Sequence, residues 1–313
     1  MKKLIVTMGV VAAMAMGAMA GSANTVKVTK FHQSYPYTGK ATVQYTVGGT
    51  LPANAVAEIT INTDDASATF TQRNIVAGAN SHVIDFASSF GGALVLTNAS
   101  FVVTIGLGGV QLWENGPYWA ECNVGATKPE EYGYYFWWGD TVGYKRENDK
   151  WVATDGSSSN FSFSSGNTPT YNKGIATLQS EGWITADGVL APAHDAAHVQ
   201  WGGNWRMPTS DEIQALVDNC TTTWITTNGV FGRLVTGKGD YANRSIFLPA
   251  AAYGYDSSLG STGSTGCYWS SSPNSDYSIR AWYLYFGSSR FFGDDYGDRD
   301  VGQSVRPVRG FAE

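Results

Sequence analysis

The chain has 313 residues, of which 43% are hydrophobic and 15% charged, and its net charge at pH 7 is −6. That length suggests two domains with room for a sizeable core, and an acidic chain without a basic patch is unsuited to nucleic acid or to an anionic membrane surface. Its 37 glycines and 13% aromatic residues favour β-structure with many turns over a helical bundle.

Residues 1–20 read as an export signal. Lys2-Lys3 is a positive start, an apolar run follows from Leu4 to Met19, and Ala18-Met19-Ala20 is a small-residue cleavage site before Gly21. No cysteine lies nearby to accept a lipid, and no later run is long enough to cross a bilayer as a helix. The expectation is an exported chain with no transmembrane segment after cleavage, placed outside the cell, at its surface or in a periplasm.

Residues 21–106 alternate apolar and polar positions: Val26 and Val28; Ala41, Val43, Tyr45 and Val47; Ala57, Ile59 and Ile61; Phe101, Val103 and Ile105. Period-2 alternation means strands with one buried face. Tyr35-Pro36-Tyr37-Thr38-Gly39, Gly48-Gly49 and Gly91-Gly92 punctuate them as turns. Short strands without helical periodicity predict an all-β sandwich of immunoglobulin or fibronectin type, a spacer or adhesive module. His32 and His82 are isolated there and suggest no site. Gly106-Leu107-Gly108-Gly109 reads as a linker.

The second domain, residues 107–313, is of a different kind. Asn148 to Asn172 is polar and reads as an exposed excursion. Ala191 to His198 suggests a short helix or turn. Ser210 to Val217 is a clear helix, capped by Thr209 or Ser210, with Asp211 and Glu212 at its positive end and Ile213, Leu216 and Val217 on its apolar face. Phe247 to Ala251 and Ala281 to Phe286 read as core strands, the latter with Trp282, Leu284 and Phe286 on one face and Tyr283 and Tyr285 on the other. Val305 to Val308 would close the domain. Trp137, Trp138, Trp201, Trp205 and Trp269 read as core, and Arg206 and Arg306 as internal partners of acids and tryptophans.

No catalytic or metal constellation stands out. His194, Asp195 and His198 share a ligand-like spacing without a third ligand, and Asp294, Asp295, Asp298 and Asp300 match no calcium loop. The cysteines at 122, 220 and 267 fit no zinc spacing; export permits a disulfide, but an odd number leaves at least one thiol over. No nucleophile elbow, phosphate loop or dinucleotide fingerprint occurs. The reading is a non-enzyme without cofactor or metal.

Several motifs carry a resemblance in fixed order: Trp119-Ala120-Glu121-Cys122-Asn123-Val124-Gly125-Ala126, Glu131 to Thr141, Trp205-Arg206-Met207-Pro208-Thr209, Tyr268-Trp269-Ser270-Ser271, and Ser304-Val305-Arg306-Pro307-Val308. Together they make residues 112–311 resemble the Fibrobacter succinogenes major paralogous domain. That family is similar to C-type-lectin-like folds, to variable proteins of diversity-generating retroelements and to the formylglycine-generating-enzyme fold. The resemblance implies an α+β C-type-lectin-like domain, but no uniform activity. The lectin triplets for calcium-dependent sugar binding are missing, as is the reactive cysteine pair of the formylglycine-generating relatives.

Between the last two motifs lies a segment of Tyr, Asp, Ser, Arg, Gly and Phe without lysine. Rigid aromatic rings, small residues and no flexible ammonium make a binding surface. The candidate ligand-binding residues are Asn274, Asp276, Tyr277, Arg280, Tyr283, Tyr285, Ser288, Arg290, Phe291, Asp294, Asp295, Tyr296 and Arg299. The partner expected is a protein or glycan on another cell or surface, and the retroelement resemblance adds the expectation that this face is diversified. A fixed carbohydrate-binding or adhesion module, with sugars stacked on Tyr283, Tyr285 or Tyr296, is the alternative; an enzyme of formylglycine-generating type is the third reading.

Overall fold

The computed structural model describes residues 25–310 apart from 34–35, 50, 52–54, 73–74, 97–98, 165–167, 203 and 261. The expected export signal at 1–20 lies outside the described residues. Contacts divide the chain into two units, Met1–Gly108 and Gly109–Glu313.

In the first unit the alternating segments form two three-stranded antiparallel sheets. Lys40–Gly48 is central in one, between Thr25–His32 and Gly78–Asp85; Ala55–Asn62 is central in the other, between Ser67–Gln72 and Ser100–Leu107. Because alternate side chains share a face, Val43 and Tyr45 of the first sheet meet Ile59, Ile61, Phe101 and Val103 of the second in one core. The glycine-rich stretch expected as a linker is mostly strand. Leu107 and Gly106 pair with Ala55 and Val56, and Gly109 pairs with Ala120. Ladder hydrogen bonds use only backbone, so glycine does not exclude a segment from a sheet.

The second unit is built on a seven-stranded sheet. Its order is Lys150–Ala153, Tyr144–Glu147, Tyr135–Phe136, Gln303–Ser304, Thr265–Pro273, Arg280–Gly287 and Phe291–Asp298. Neighbours Tyr268 and Trp269 on the Thr265–Pro273 strand serve different cores. Tyr268 packs with Leu284, Phe286, Ile213 and Leu216, and Trp269 with Phe136, Trp138, Ala281 and Val305. Gly266 is required here, because a Cβ would fall 2.1 Å from the Phe286 ring. Val308 pairs with Trp119 and Arg309 with Tyr118, so the end of the unit closes on its beginning as expected.

The described helices are α1 (Ile175–Ser180), α2 (Ala196–Trp201) and α3 (Ser210–Asn219). Thr209 caps α3: its Oγ1 accepts from the Glu212 N–H at 3.1 Å, while the Glu212 carboxylate accepts from the Thr209 N–H at 2.9 Å. Arg206 lies on the same carboxylate, with Nη1 and Nη2 each donating at 2.6 Å. Arg306, also expected to pair with an acid, does not. Its guanidinium donates to Asn123 Oδ1 at 2.8 Å, to the Ala120 carbonyl at 3.0 Å and to the Phe247 carbonyl at 2.9 Å. The guanidinium over Trp138 belongs instead to Arg299, at 4.7 Å.

Two further expectations change. The polar excursion from 148 to 172 is anchored from within, since Trp151 and Phe163 are fully buried and residues 144–153 form a hairpin. A second hairpin, Cys220–Thr227 with Val230–Gly237, was not foreseen; it turns at Asn228-Gly229, both at positive φ, the pairing that two-residue hairpin turns favour.

Thr209→Ala removes half of the capping box and should cost about 1 kcal/mol. Arg306→Ala strands three buried acceptors and should cost about 3 kcal/mol or more. Urea unfolding midpoints of the two variants check that order.

Candidate ligand-binding face

The segment singled out from the sequence folds as the outer hairpin of the large sheet. Arg280 lies opposite Asp298, Trp282 opposite Tyr296 and Tyr283 opposite Asp295, and a bulge after Tyr283 shifts the register to Tyr285–Phe292 and Phe286–Phe291. This register sorts the side chains. Arg280, Trp282, Tyr296 and Asp298 share one face, while Ala281, Tyr283, Asp295 and Gly297 share the other.

At the open end of the hairpin, the first face makes a joined cluster. The Arg280 guanidinium lies 5.0 Å from the Tyr277 ring centroid and 5.1 Å from that of Tyr296. The two tyrosine rings stack at 5.5 Å, and Trp282 meets Tyr296 edge-on at 5.5 Å. Arg280 Nε donates to Asp298 Oδ1 at 3.0 Å. An exposed ion pair contributes little alone, but here the guanidinium is also held by two rings, which fixes its direction before any ligand arrives. Tyr277 keeps 48% of its surface exposed.

The bed beneath this cluster is buried, and it claims two of the expected binding residues. Asn274 is 3% exposed; its Oδ1 accepts from the Asp276 and Tyr277 N–H groups, folding the loop that presents Tyr277. Arg299 is fully buried. It donates from Nε to the Arg280 carbonyl and from Nη1 to the carbonyls of Thr170 and Lys173, and burial lowers its pKa to about 10. Both side chains are buried and bond backbone groups, while Arg299 Nη2 has no hydrogen-bond partner.

The other expected residues are dispersed. Ser288 and Arg290 are exposed at the turn of the hairpin, about 23 Å of strand from Arg280 at ~3.3 Å per residue. Arg233 holds that turn through the carbonyls of Gly287, Ser288 and Arg290. Phe291 joins the core under α3. Asp294 is exposed and Tyr285 half-buried. Tyr283 packs edge-on against Trp269 and donates to Asp295 Oδ2 at 3.2 Å; burial raises its phenol well above the ordinary value. Asp276, Tyr277, Arg280 and Tyr296 are therefore the expected residues gathered at one end.

Several members of the cluster were missed. Trp282 was assigned to the core with Leu284 and Phe286, which are 2% and 0% exposed, yet it is only half-buried and packs on Tyr296. Asp298 was read only as part of an acidic loop. The excursion also reaches this end: Ser278 Oγ donates to Asn172 Oδ1 at 2.9 Å, and burial, then the charges of Asp300 and Asp298, raise the Tyr171 phenol. A binding face here draws on both the 168–173 loop and the hairpin.

The remaining constellations resolve separately. His194 stacks at 4.0 Å on Trp183, and His198 Nδ1 lies 3.3 Å from the Trp205 carbonyl. Among the described residues no group of three or more His, Cys, Asp or Glu is placed to hold a metal. The three cysteines are buried. Burial pushes the Cys267 thiol up to about 12 and the Cys220 thiol up to about 11.

The family described as the Lcl C-terminal domain matches residues 114–309, nearly the stretch that the ordered motifs delimit. No curated protein and no solved structure matches the chain.

The native protein should show no fast thiol towards Ellman's reagent at pH 8, since Cys220 and Cys267 carry almost no thiolate there and Cys122 is buried from the reagent, and all three should react after denaturation. A rapidly reacting native thiol would contradict the buried placement.

Proposed function

Because the chain belongs to the Lcl C-terminal domain family, we propose that it is an exported ligand-binding protein. In this reading a C-type-lectin-like domain carries the site, and an immunoglobulin-like or fibronectin-like sandwich serves as its spacer. The observation that supports the reading best is the cluster of Tyr277, Arg280, Trp282 and Tyr296. It is a pre-ordered aromatic and guanidinium surface on a bed whose backbone is held by Asn274 and Arg299. Interfaces draw most of their affinity from a few such residues, and ordering them in advance lowers the entropy lost on binding.

The ligand is a protein or glycan on another cell or surface. The half-exposed Tyr277 ring also favours a glycan, because a sugar's apolar face stacks on such a ring; Tyr277 then replaces Tyr283, whose ring is turned into the domain. A catalytic role for Cys267 is disfavoured by its burial and raised thiol. Diversification of the face belongs to the same proposal. A reverse-transcriptase gene beside the coding sequence, with a near-copy of the segment encoding 268–306, would support it, and a locus lacking both would refute it.

The binding reading is tested by applying the purified chain to arrays of glycans and of cell-surface proteins. For any ligand retained, Tyr277→Ala and Tyr296→Ala should weaken binding about 30-fold, equivalent to ~2 kcal/mol, with unchanged circular dichroism. Ser288→Ala and Arg290→Ala should change it less than about threefold. The opposite pattern would move the site to the turn of the hairpin.

A further inference from the structure

The strand Cys220–Thr227 is the outer member of a three-stranded sheet, with Val230–Gly237 at the centre and Ser245–Pro249 on the far side. In an antiparallel sheet the backbone groups of successive residues point to opposite neighbours, so the direction of each can be read. On the central strand the Phe231 carbonyl accepts from the Ala250 N–H, and the Gly237 N–H donates to the Arg244 carbonyl. Its odd-numbered residues therefore face the Ser245–Pro249 side. Its even-numbered residues face the outer strand, where they meet Thr221, Thr223, Ile225 and Thr227. The N–H and C=O groups of Thr222, Trp224 and Thr226 are left pointing outwards, and among the described residues no backbone group bonds them.

The other outer strands of this unit are blunted, as edges are in proteins that must stay apart. Phe291–Asp298 carries Asp294, Asp295 and Asp298 and a register shift. Lys150–Ala153 opens with a lysine and is bridged by Phe161. Ser245–Pro249 has the carbonyls of Phe247 and Pro249 taken by Arg306 and Tyr268. Gly109–Gln111, Trp205–Arg206, Gly254–Tyr255 and Ser258–Leu259 are too short to template a strand. Cys220–Thr227 has none of these defences. It contains no charge, proline or glycine, and its whole length keeps register with the central strand. Apolar surface lies beside it: Trp224 and Ile225 are half-buried, and Phe231, stacked on Trp224 at 6.1 Å, is 48% exposed.

We propose that this edge pairs antiparallel with the same edge of a second copy of the chain, joining two three-stranded sheets across a two-fold axis. Such pairing sets a strand against itself, so a charged residue near the axis would meet its like; a wholly neutral strand meets that requirement. An edge that captures a foreign peptide instead needs pockets for alternate side chains, and the exposed Thr221 and Thr223 are too short to wall one. Opposite side chains must share a face, so the axis passes through a residue and not between two. Centred on Thr223, it sets Thr222 against Trp224 and Thr221 against Ile225 of the other copy, pairs of the kind that stabilise sheets. The Tyr277–Tyr296 face takes no part, so the dimer does not depend on the ligand-binding reading.

Sedimentation velocity of the full exported chain should show a reversible monomer–dimer equilibrium with a dissociation constant on the order of 10 µM, as suits a small interface. Amide hydrogen exchange reads the edge itself. Thr222, Trp224 and Thr226 should exchange freely in the dilute monomer and become protected about tenfold or more in the concentrated dimer, while Thr223 and Ile225, bonded within the sheet, stay protected in both. Thr223→Lys sets two ammonium groups together at the axis, and Thr226→Pro removes an outward N–H but no ladder bond. Each should weaken the dimer about tenfold or more with unchanged circular dichroism, whereas Ser288→Lys, on an exposed turn elsewhere, should not. If a variant fails to fold, exchange on the unaltered chain decides. The proposal is overturned if the chain stays monomeric at a few hundred micromolar, if it forms a trimer, if both folded variants dimerise like the parent, or if the three outward amides are already protected in the monomer. A monomer that gains this protection only from an added threonine–valine peptide would overturn it too, and would assign the edge to an extended peptide.

Discussion

Arg306, 1% exposed, joins three segments that are far apart in sequence. Its Nε reaches Asn123 at the start of the C-terminal unit, Nη1 reaches the Ala120 carbonyl beside it, and Nη2 reaches Phe247 in the strand Ser245–Pro249, which adds to the Cys220–Thr227 and Val230–Gly237 hairpin as a three-stranded sheet. Around it, the Tyr268 hydroxyl donates to the Pro249 carbonyl at 2.6 Å and accepts from Asn123 Nδ2 at 3.3 Å. A buried charge without a carboxylate is expensive unless every donor is used. Satisfying it with backbone carbonyls makes it sensitive to the path of the chain itself. The large sheet, the closing strand and the three-stranded sheet are held in one arrangement by this group, and the outer hairpin grows from that sheet.

Arg299 uses the same device less completely, since its buried Nη2 has no hydrogen-bond partner. Its Nε and Nη1 hold the Arg280 carbonyl and the carbonyls of Thr170 and Lys173, and Trp138 covers its plane. The open end of the hairpin and the 168–173 loop are thereby tied to each other. This explains why the segment that looked like one binding surface contains two kinds of residue. Asn274 and Arg299 shape the backbone; Tyr277, Arg280 and Tyr296 stand on it.

Much of this was legible in the sequence, and for identifiable reasons. Period-2 alternation located the strands at 40–48, 55–62 and 100–107 because each has one buried face. The Thr209-to-Glu212 cap located α3 because its chemistry is local. The Asn228-Gly229 turn was equally local and readable, but the alternation flanking it, Thr-Thr-Thr-Trp-Ile-Thr-Thr, is weak and was passed over. Burial of Trp151 and Phe163 was hidden by the polar residues around them. Trp282 defeated the alternation rule for another reason. Leu284 and Phe286 are covered by α3, whereas Trp282 packs on Tyr296 across the strand pair, and no pattern within one strand tells where a covering helix stops. Arg299 and Tyr277 look alike as polar members of one segment; only the paths of the 168–173 loop and the hairpin separate them.

The separation has a consequence for how such a face tolerates change. The side chains of Tyr277, Arg280 and Tyr296 interact mainly with one another and with Asp298, while the backbone beneath is ordered by Asn274, Arg299 and the strand ladder. Replacing an exposed member leaves no buried donor or acceptor unpaired, so the cost to stability is that of a surface substitution, commonly within about 0.5 kcal/mol. Replacing Arg299 would release the buried Thr170 carbonyl and the part-buried Lys173 carbonyl at once. Specificity at this end can therefore change almost independently of folding, provided the residues that hold the backbone stay, and the boundary between those two sets is drawn by burial and not by position along the chain.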